Sequence, residues 1–345
     1  MRIDQSFIEL LSCLDCGNKL DIDDITDFAD DGHVMSGNLV CHGCGLHFPI
    51  RGGVPRLVPS NLSNAVKHDM DGWSYEWEHV KPLTENTPLN AADTFLDFIY
   101  PITPDYFRGK TVIDAGCGSG RFSRWAAEFG AAVVVGVDLS ESVNIAFTNL
   151  RRYPNVLIVQ ADLLRLPMTR NFDYAFSIGV LDHTSDPRKA FDSVASPVTP
   201  GGGVSTWVYG REGNGWIVKF LNPFRLRVTS HLPRTLLLGL CYLLVAIMFP
   251  ILQGVYKPIG KYKILSPLKK ILFYFDYLHF LSKFKLNEQA YIAFDHLAPG
   301  IVEYISESEI EKWYSDKGLN QIEITSRNGN SWRGFGLIPE DKGIQ

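Results

Sequence analysis

The chain has 345 residues, of which 46% are hydrophobic and 21% charged, with a formal net charge of −5. That composition excludes a disordered or fibrous chain, and an acidic total argues against a nucleic-acid binder. The total conceals an asymmetry: residues 216–286 hold eleven Lys/Arg against the single acid Asp276, a net +10 that leaves −15 on the remainder. Segregation of this size marks a surface that meets an anionic partner.

In chain order, a first module spans residues 1–58. Four of the six cysteines pair as Cys13-x-x-Cys16 and Cys41-x-x-Cys44, with 24 residues between the doublets. Each doublet can form a knuckle that aims two thiolates at one ion, and two knuckles complete a tetrahedral, structural zinc site. Gly17 and Gly45 directly follow the doublets, where the turn needs a residue free of Cβ strain. Four sulfurs saturate the ion, so the nearby His33, His42 and His47 are read as surface residues. The first twenty residues contain no long apolar core, which gives the expectation of no secretory signal and a reducing, cytoplasmic compartment.

A connector occupies 59–110 and carries the aromatic cluster Trp73, Tyr75 and Trp77. From residue 111, β-branched runs at 111–115, 132–138, 156–160, 172–177 and 204–209 are predicted strands, with helices at 119–129 and 141–152 between them. This alternation predicts an α/β, Rossmann-like, mainly parallel sheet with helices on both faces, in a domain covering 111–345. Gly210 breaks the pattern, and an insertion rich in Leu, Phe, Tyr and Lys runs over about 211–290. A helix at 306–317 follows, opened by the capping box Ser306 and Glu309. A strand at 321–326 comes next, and 332–338 is expected to pair beside it as an antiparallel edge.

The strongest chemical signal is Val112-Ile-Asp-Ala-Gly-Cys-Gly-Ser-Gly120, a strand running through Asp114 into glycines 116, 118 and 120 and then a helix. Glycines let the backbone approach a ligand closely, and the helix start presents free N–H groups. A dinucleotide site needs G-x-G-x-x-G. Here the third glycine comes one residue early, and Asp114 would repel a pyrophosphate but suits a cation. An NAD(P) oxidoreductase is therefore disfavoured. Asp138 ends the second strand, where an acid can accept both ribose hydroxyls.

The D-x-G-x-G-x-G pattern resembles motif I of class I methyltransferases, whose cofactor is S-adenosyl-L-methionine. The resemblance implies that Asp114 serves the methionine end of the cofactor. It implies too that Asp162, in Gln-Ala-Asp-Leu (160–163), bonds the adenine amino group while Leu163 packs on the ring. Leu139, beside Asp138, and Ile178, at the end of the fourth strand, complete the expected cofactor set with Gly116, Gly118 and Gly120. Residues 39–57 resemble the ribbon, like the small tRNA-methyltransferase activator subunit, that precedes many bacterial methyltransferases. Trp73-Ser-Tyr-Glu-Trp77 and Phe294-Asp-His-Leu-Ala-Pro299 look like further motifs of these enzymes. The loop after the fourth strand often carries two consecutive histidines in them, and here the first is Asp182. For an oxygen acceptor His183 is the first candidate base, with Asp295 and His296 behind it.

Residues 235–256 hold no charge, enough by length to cross a membrane. Their position between two parts of one domain, and Gly239, Pro250 and Gly254 within them, favour two shorter helices broken near Pro250. The insertion then reads as a lid, alone or lying on a membrane surface through 216–286. The expected acceptor is a small molecule, glycan or lipid-linked compound, methylated on oxygen. Two rivals remain. One is an RNA methyltransferase, disfavoured because residues 1–31 hold nine acids against Arg2 and Lys19. The other is a non-catalytic scaffold that keeps the cofactor fold.

Overall fold

The computed structural model describes residues 5–59, 62–79 and 91–340; the connector stretch 80–90 lies outside them. Four strands come first: β1 (Asp21–Phe28), β2 (Val34–Val40), β3 (His47–Arg51) and β4 (Val54–Leu57). Seven follow: β5 (Thr111–Ala115), β6 (Val133–Asp138), β7 (Val156–Ala161), β8 (Phe172–Ile178), β9 (Val198–Tyr209), β10 (Asn320–Arg327) and β11 (Ser331–Leu337). They join in one sheet, ordered β1-β2-β3-β4-β7-β6-β5-β8-β9-β11-β10. Pairs from β4 to β9 are parallel and the outer pairs antiparallel.

Strands covered on both faces become nearly continuous apolar runs. Thus β6 reads Val-Val-Val-Gly-Val-Asp with its four inner residues buried. Alternation sends Val112 and Val134 to one face, against Phe95, Phe122 and Ala126. It sends Ile113, Val135 and Val137 to the other, against Phe191, Val194, Ile310 and Trp313. The parallel, helix-flanked α/β architecture predicted from the sequence is the one observed. Helix Glu307–Asp316 opens with the Ser306/Glu309 capping box.

The ribbon continues this sheet. Strand β4 lies parallel to β7, Arg56 opposite Gln160 and Leu57 opposite Ala161. Leu11, Leu39, Ile50 and Leu57 share one core with Val159 and Ala161. The Arg56 guanidinium, its side chain only 12% exposed, donates to Gln160 (2.9 Å), Asn144 (2.6 Å), the Arg51 carbonyl (3.2 Å) and Glu141 (3.2 Å).

Three expectations are corrected. The stretch at 332–338 pairs antiparallel but is not an edge: β11 lies between β9 and β10, Trp332 facing Val208 on one side and Ser326 on the other. The more apolar strand takes the inner place, and exposed β10 becomes the edge. His33 is buried, bonded to Asp31 at 2.9 Å and edge-on to Phe147 at 5.5 Å, where it fills the joint between ribbon and sheet domain. The insertion does not break near Pro250. Helix Arg234–Ile251 passes through it and continues by a wide turn, Leu252–Tyr256, into Lys257–Lys261. Pro250 removes only the amide donor to the Ala246 carbonyl, and the helix carries on past it; the wide turn follows downstream, with the Lys257 amide reaching back to the Leu252 carbonyl.

That long helix packs Leu237 and Cys241 on Phe294 and Ala298, at the end of helix Leu286–Leu297. The last carbonyls of the latter are met by insertion side chains: Arg225 donates to His296 (3.4 Å), Thr229 to Leu297 (2.8 Å) and Arg234 to Ala298 (2.9 Å). Cations at a helix C-terminus satisfy orphan carbonyls and oppose the negative end of its dipole.

Because Arg56 joins three acceptors across the ribbon seam, Arg56→Ala is expected to lower stability by about 1–3 kcal/mol. Urea unfolding measures this; an unchanged midpoint would assign the seam to strand pairing and apolar packing alone.

Candidate functional site

The chain leaves β5 for β6 and β7 on one side and returns to β8 and β9 on the other. Where direction reverses, the loops diverge and leave a crevice beyond the strand ends. A cavity of about 280 Å³ opens there.

At its base lies the loop after β5. Gly116, Gly118 and Gly120 have φ of 86°, 52° and 82°, which side-chain-bearing residues rarely adopt. A Cβ on Gly118 would stand 2.5 Å from the Trp77 ring, and one on Gly120 2.4 Å from Leu150. The first contact lets an aromatic roof close on the loop, and the second lets helix Ser142–Leu150 pack behind it. The Gly118 amide donates to Asp138 at 2.9 Å, and Ser140 gives the other carboxylate oxygen its amide (2.9 Å) and hydroxyl (2.7 Å). Asp138 is thus held at the tip of β6 in an orientation fixed from both sides.

Of the sequence-derived cofactor set, Gly116, Gly118, Asp138, Leu139, Asp162, Leu163 and Ile178 all line the cavity. Asp162 also caps the short helix Leu163–Arg165 by accepting from Leu164 at 2.9 Å. Asp114 and Gly120 stand behind the wall. Asp114 is buried and accepts from the Ser123 hydroxyl at 2.6 Å, and burial pushes its carboxyl up to about 7. It braces the loop against helix Arg121–Glu128.

Both candidate bases, His183 and Asp295, line the same cavity although 112 residues apart in sequence. His183 Nδ1 lies 3.1 Å from the Ile301 carbonyl, which can only accept, so its hydrogen sits on Nδ1 and the lone pair on Nε2. Trp73 packs edge-on to the ring at 4.9 Å. Asp295 is raised above the usual carboxylate range by burial, an effect opposed by the neighbouring His183, Arg121 and Arg225 and by a hydrogen bond from Tyr209. His296 is pushed down to about 4 by burial, and its Nε2 meets the Tyr277 hydroxyl at 2.5 Å. That partner and its absence from the cavity lining separate His296 from the candidate bases.

Asp182, standing where a histidine is common, is fully buried. Its carboxylate accepts the Tyr209 amide (3.1 Å) and its carbonyl the Glu303 amide (2.7 Å). The remaining lining includes residues the sequence did not single out: Trp207, Tyr277, Phe280, Tyr291 and Arg327. Arg327 lies over Phe98 (4.4 Å) and Phe280 (5.1 Å) and is ion-paired to Asp97. No motif marks these residues, because they meet only when the insertion and β10 close over the crevice.

In the ribbon, the four sulfurs lie within 4.8 Å of one another, Cys13 to Cys44 at 3.5 Å and Cys16 to Cys41 at 3.4 Å. Sulfurs around a zinc at 2.3 Å stand about 3.8 Å apart. All four cysteines are free thiols, so the site fits a structural zinc.

Residues 113–205 match the family model of a methyltransferase domain, and residues 4–53 that of Trm112p-like proteins. A ubiquinone biosynthesis O-methyltransferase of Idiomarina loihiensis is 31% identical over 150 residues, 42% of this chain and 58% of that protein. A tRNA U34 carboxymethyltransferase of Pseudoalteromonas translucida is 33% identical over 114 residues, 32% and 34% of the two chains. A crystal structure of an S-adenosylmethionine-dependent methyltransferase from Mesorhizobium loti is 34% identical over 30% of this chain and 48% of its own, with a TM-score of 0.28. The chain spans less than two thirds of the length of each of these proteins.

If Asp138 accepts the ribose hydroxyls as the sequence expects, Asp138→Ala should weaken S-adenosylhomocysteine binding more than about tenfold; calorimetry showing unchanged affinity would contradict that assignment. Burial raises Asp182 to about 7, so its neutral form is the one folding favours. Its contribution is full below the unfolded value near 4 and is lost as pH rises through 7. Asp182→Asn should therefore flatten the fall of thermal stability between pH 5 and 8, and parallel wild-type and variant curves would refute this.

Proposed function

We propose that this chain, which carries an S-adenosylmethionine-dependent methyltransferase domain behind a Trm112p-like zinc-ribbon module, methylates an oxygen of a small-molecule or lipid-linked acceptor. The observation that carries this reading is the make-up of the cavity. Cofactor-loop glycines and Asp138 share one space with His183, Tyr209, Asp295 and an aromatic wall of Trp207, Phe280 and Tyr291.

When bound, the cofactor supplies a methyl group on a cationic sulfur, already activated for in-line displacement. What remains for the protein is to align the acceptor and keep water out. Helix Asn64–His79 provides the exclusion, since Trp73 and Trp77 come down from it as part of the cavity wall. In that transfer His183 would take the acceptor hydroxyl proton on Nε2. The Ile301 carbonyl holds the other ring nitrogen throughout. In its charged form Asp295 would stabilise the imidazolium, and the Tyr209 hydrogen bond favours that form against the effect of burial. An aromatic, mostly uncharged wall suits an apolar acceptor better than a polyanion. The exposed acids Asp21, Asp23, Asp24 and Asp27 on β1 also turn a repelling face to RNA.

His183→Ala is expected to lower kcat about 10²- to 10⁴-fold while leaving S-adenosylhomocysteine affinity unchanged. Methyl incorporation from labelled donor into lipid extracts and small hydroxylated compounds supplies the assay. Turnover that survives the substitution with its pH profile intact would remove His183 as the base.

A further inference from the structure

We infer that residues 216–286 dock the protein, without spanning, on the surface of an anionic phospholipid bilayer. Among the described residues one helical run, Arg234–Lys261, is long and apolar enough to cross a membrane, and only 22% of its most apolar window is buried. It presents two apolar faces. Leu237, Cys241, Val245 and Leu252 point inward. Leu236, Leu240, Leu243, Leu244, Ile247 and Ile251 recur at helical spacing on the opposite side, 43–65% exposed. The same insertion exposes Phe220 (65%), Ile264 (88%), Ile271 (77%) and Phe273 (60%). A monomer does not keep so much apolar side chain in water without a partner for it.

Charge identifies the partner. Residues 216–286 hold eleven basic residues and one acid; Arg225 is buried, and eight of the other ten are exposed. Several lysines lie against aromatic rings, Lys219 at 5.4 Å from Phe220 and Lys261 at 5.6 Å from Tyr262. Apolar residues that enter the acyl boundary beside lysines that meet phosphates are what an interfacial helix presents. A second copy of this chain would oppose +10 to +10. Spanning is excluded by topology: β9 before the insertion and β11 after it are hydrogen-bonded neighbours, Tyr209 facing Ser331, so the chain returns to the side it left.

The cavity lies one helix away. Helix Leu286–Leu297 packs Phe294 against the long helix, while its Tyr291, Ile292 and Asp295 line the cavity, joined there by Phe280 and Leu281. The acceptor would then be a membrane-resident lipid; that extension rests on the methyl-transfer reading, whereas the docking does not.

The full-length protein is co-sedimented with vesicles of phosphatidylcholine, alone or with about 30 mol % phosphatidylglycerol. Binding to the anionic vesicles is expected to be at least about tenfold tighter and to weaken in high salt. Leu243→Asp with Ile247→Asp should abolish binding, and Lys261→Glu with Lys263→Glu and Lys270→Glu should erase the anionic preference. Retained S-adenosylhomocysteine binding certifies that these variants fold. Failure to bind either vesicle, binding that neither variant alters, or a dimer in sedimentation velocity that Leu243→Asp with Ile247→Asp dissociates would each overturn the inference. Since no turnover is measured, none of these results bears on whether the protein transfers methyl groups.

Discussion

The site exists because the chain reverses direction across β5. Strands β6 and β7 are laid to one side and β8 and β9 to the other, so the loops leaving β5 and β8 part company. Every group assigned to the cofactor follows from that geometry. Asp138 and Asp162 are successive strand tips, and the glycine loop is tied to the first of them through the Gly118 amide. Shifting that register by one residue would exchange the two buried faces of β6, so that Val134 met the packing meant for Val135 and Val137, and would carry Asp138 off the strand tip.

A second constraint binds the insertion to the same place. The loop after β8 carries His183 and, one residue earlier, Asp182. Through its side chain and its backbone Asp182 holds Tyr209, where the chain enters the insertion, and Glu303, where it leaves. The residue that breaks the twin-histidine pattern therefore ties the two ends of the segment that contains the insertion to the loop after β8. Arg225, buried at the end of helix Leu286–Leu297, supplies a cation near Asp295 and His296: it works against the effect of burial on Asp295 and with it on His296. The side chain that anchors the insertion thus also acts on the electrostatics of the site.

Much of this was legible in the residues. The alternation of β-branched runs with helices located β5 to β9, because periodicity reports local burial directly. The capping box at Ser306 and Glu309 marked its helix for the same local reason. Long-range choices left no such trace. Nothing within 332–338 says that the strand enters between β9 and β10, since that depends on which neighbour is more exposed. His33 looked like any polar loop residue until Phe147, more than a hundred positions later, came to lie against it. Pro250 signals a helix end, but a helix anchored along one side by Leu237, Cys241 and their partners tolerates the loss of a single hydrogen bond. Arg327, Tyr277 and Tyr291 were silent because they belong to no motif and meet only through the closure of distant segments.

The joint between β4 and β7 has one further consequence. A parallel sheet edge is a row of unpaired amides and carbonyls that other chains can extend. By laying its own ribbon on that edge, the protein seals it from within, with a tether that keeps the covering strand at high effective concentration. Cys13 and Cys41, two of the four cysteines that fit a structural zinc, share a buried core with that edge, so whatever holds the ribbon folded also keeps the edge covered.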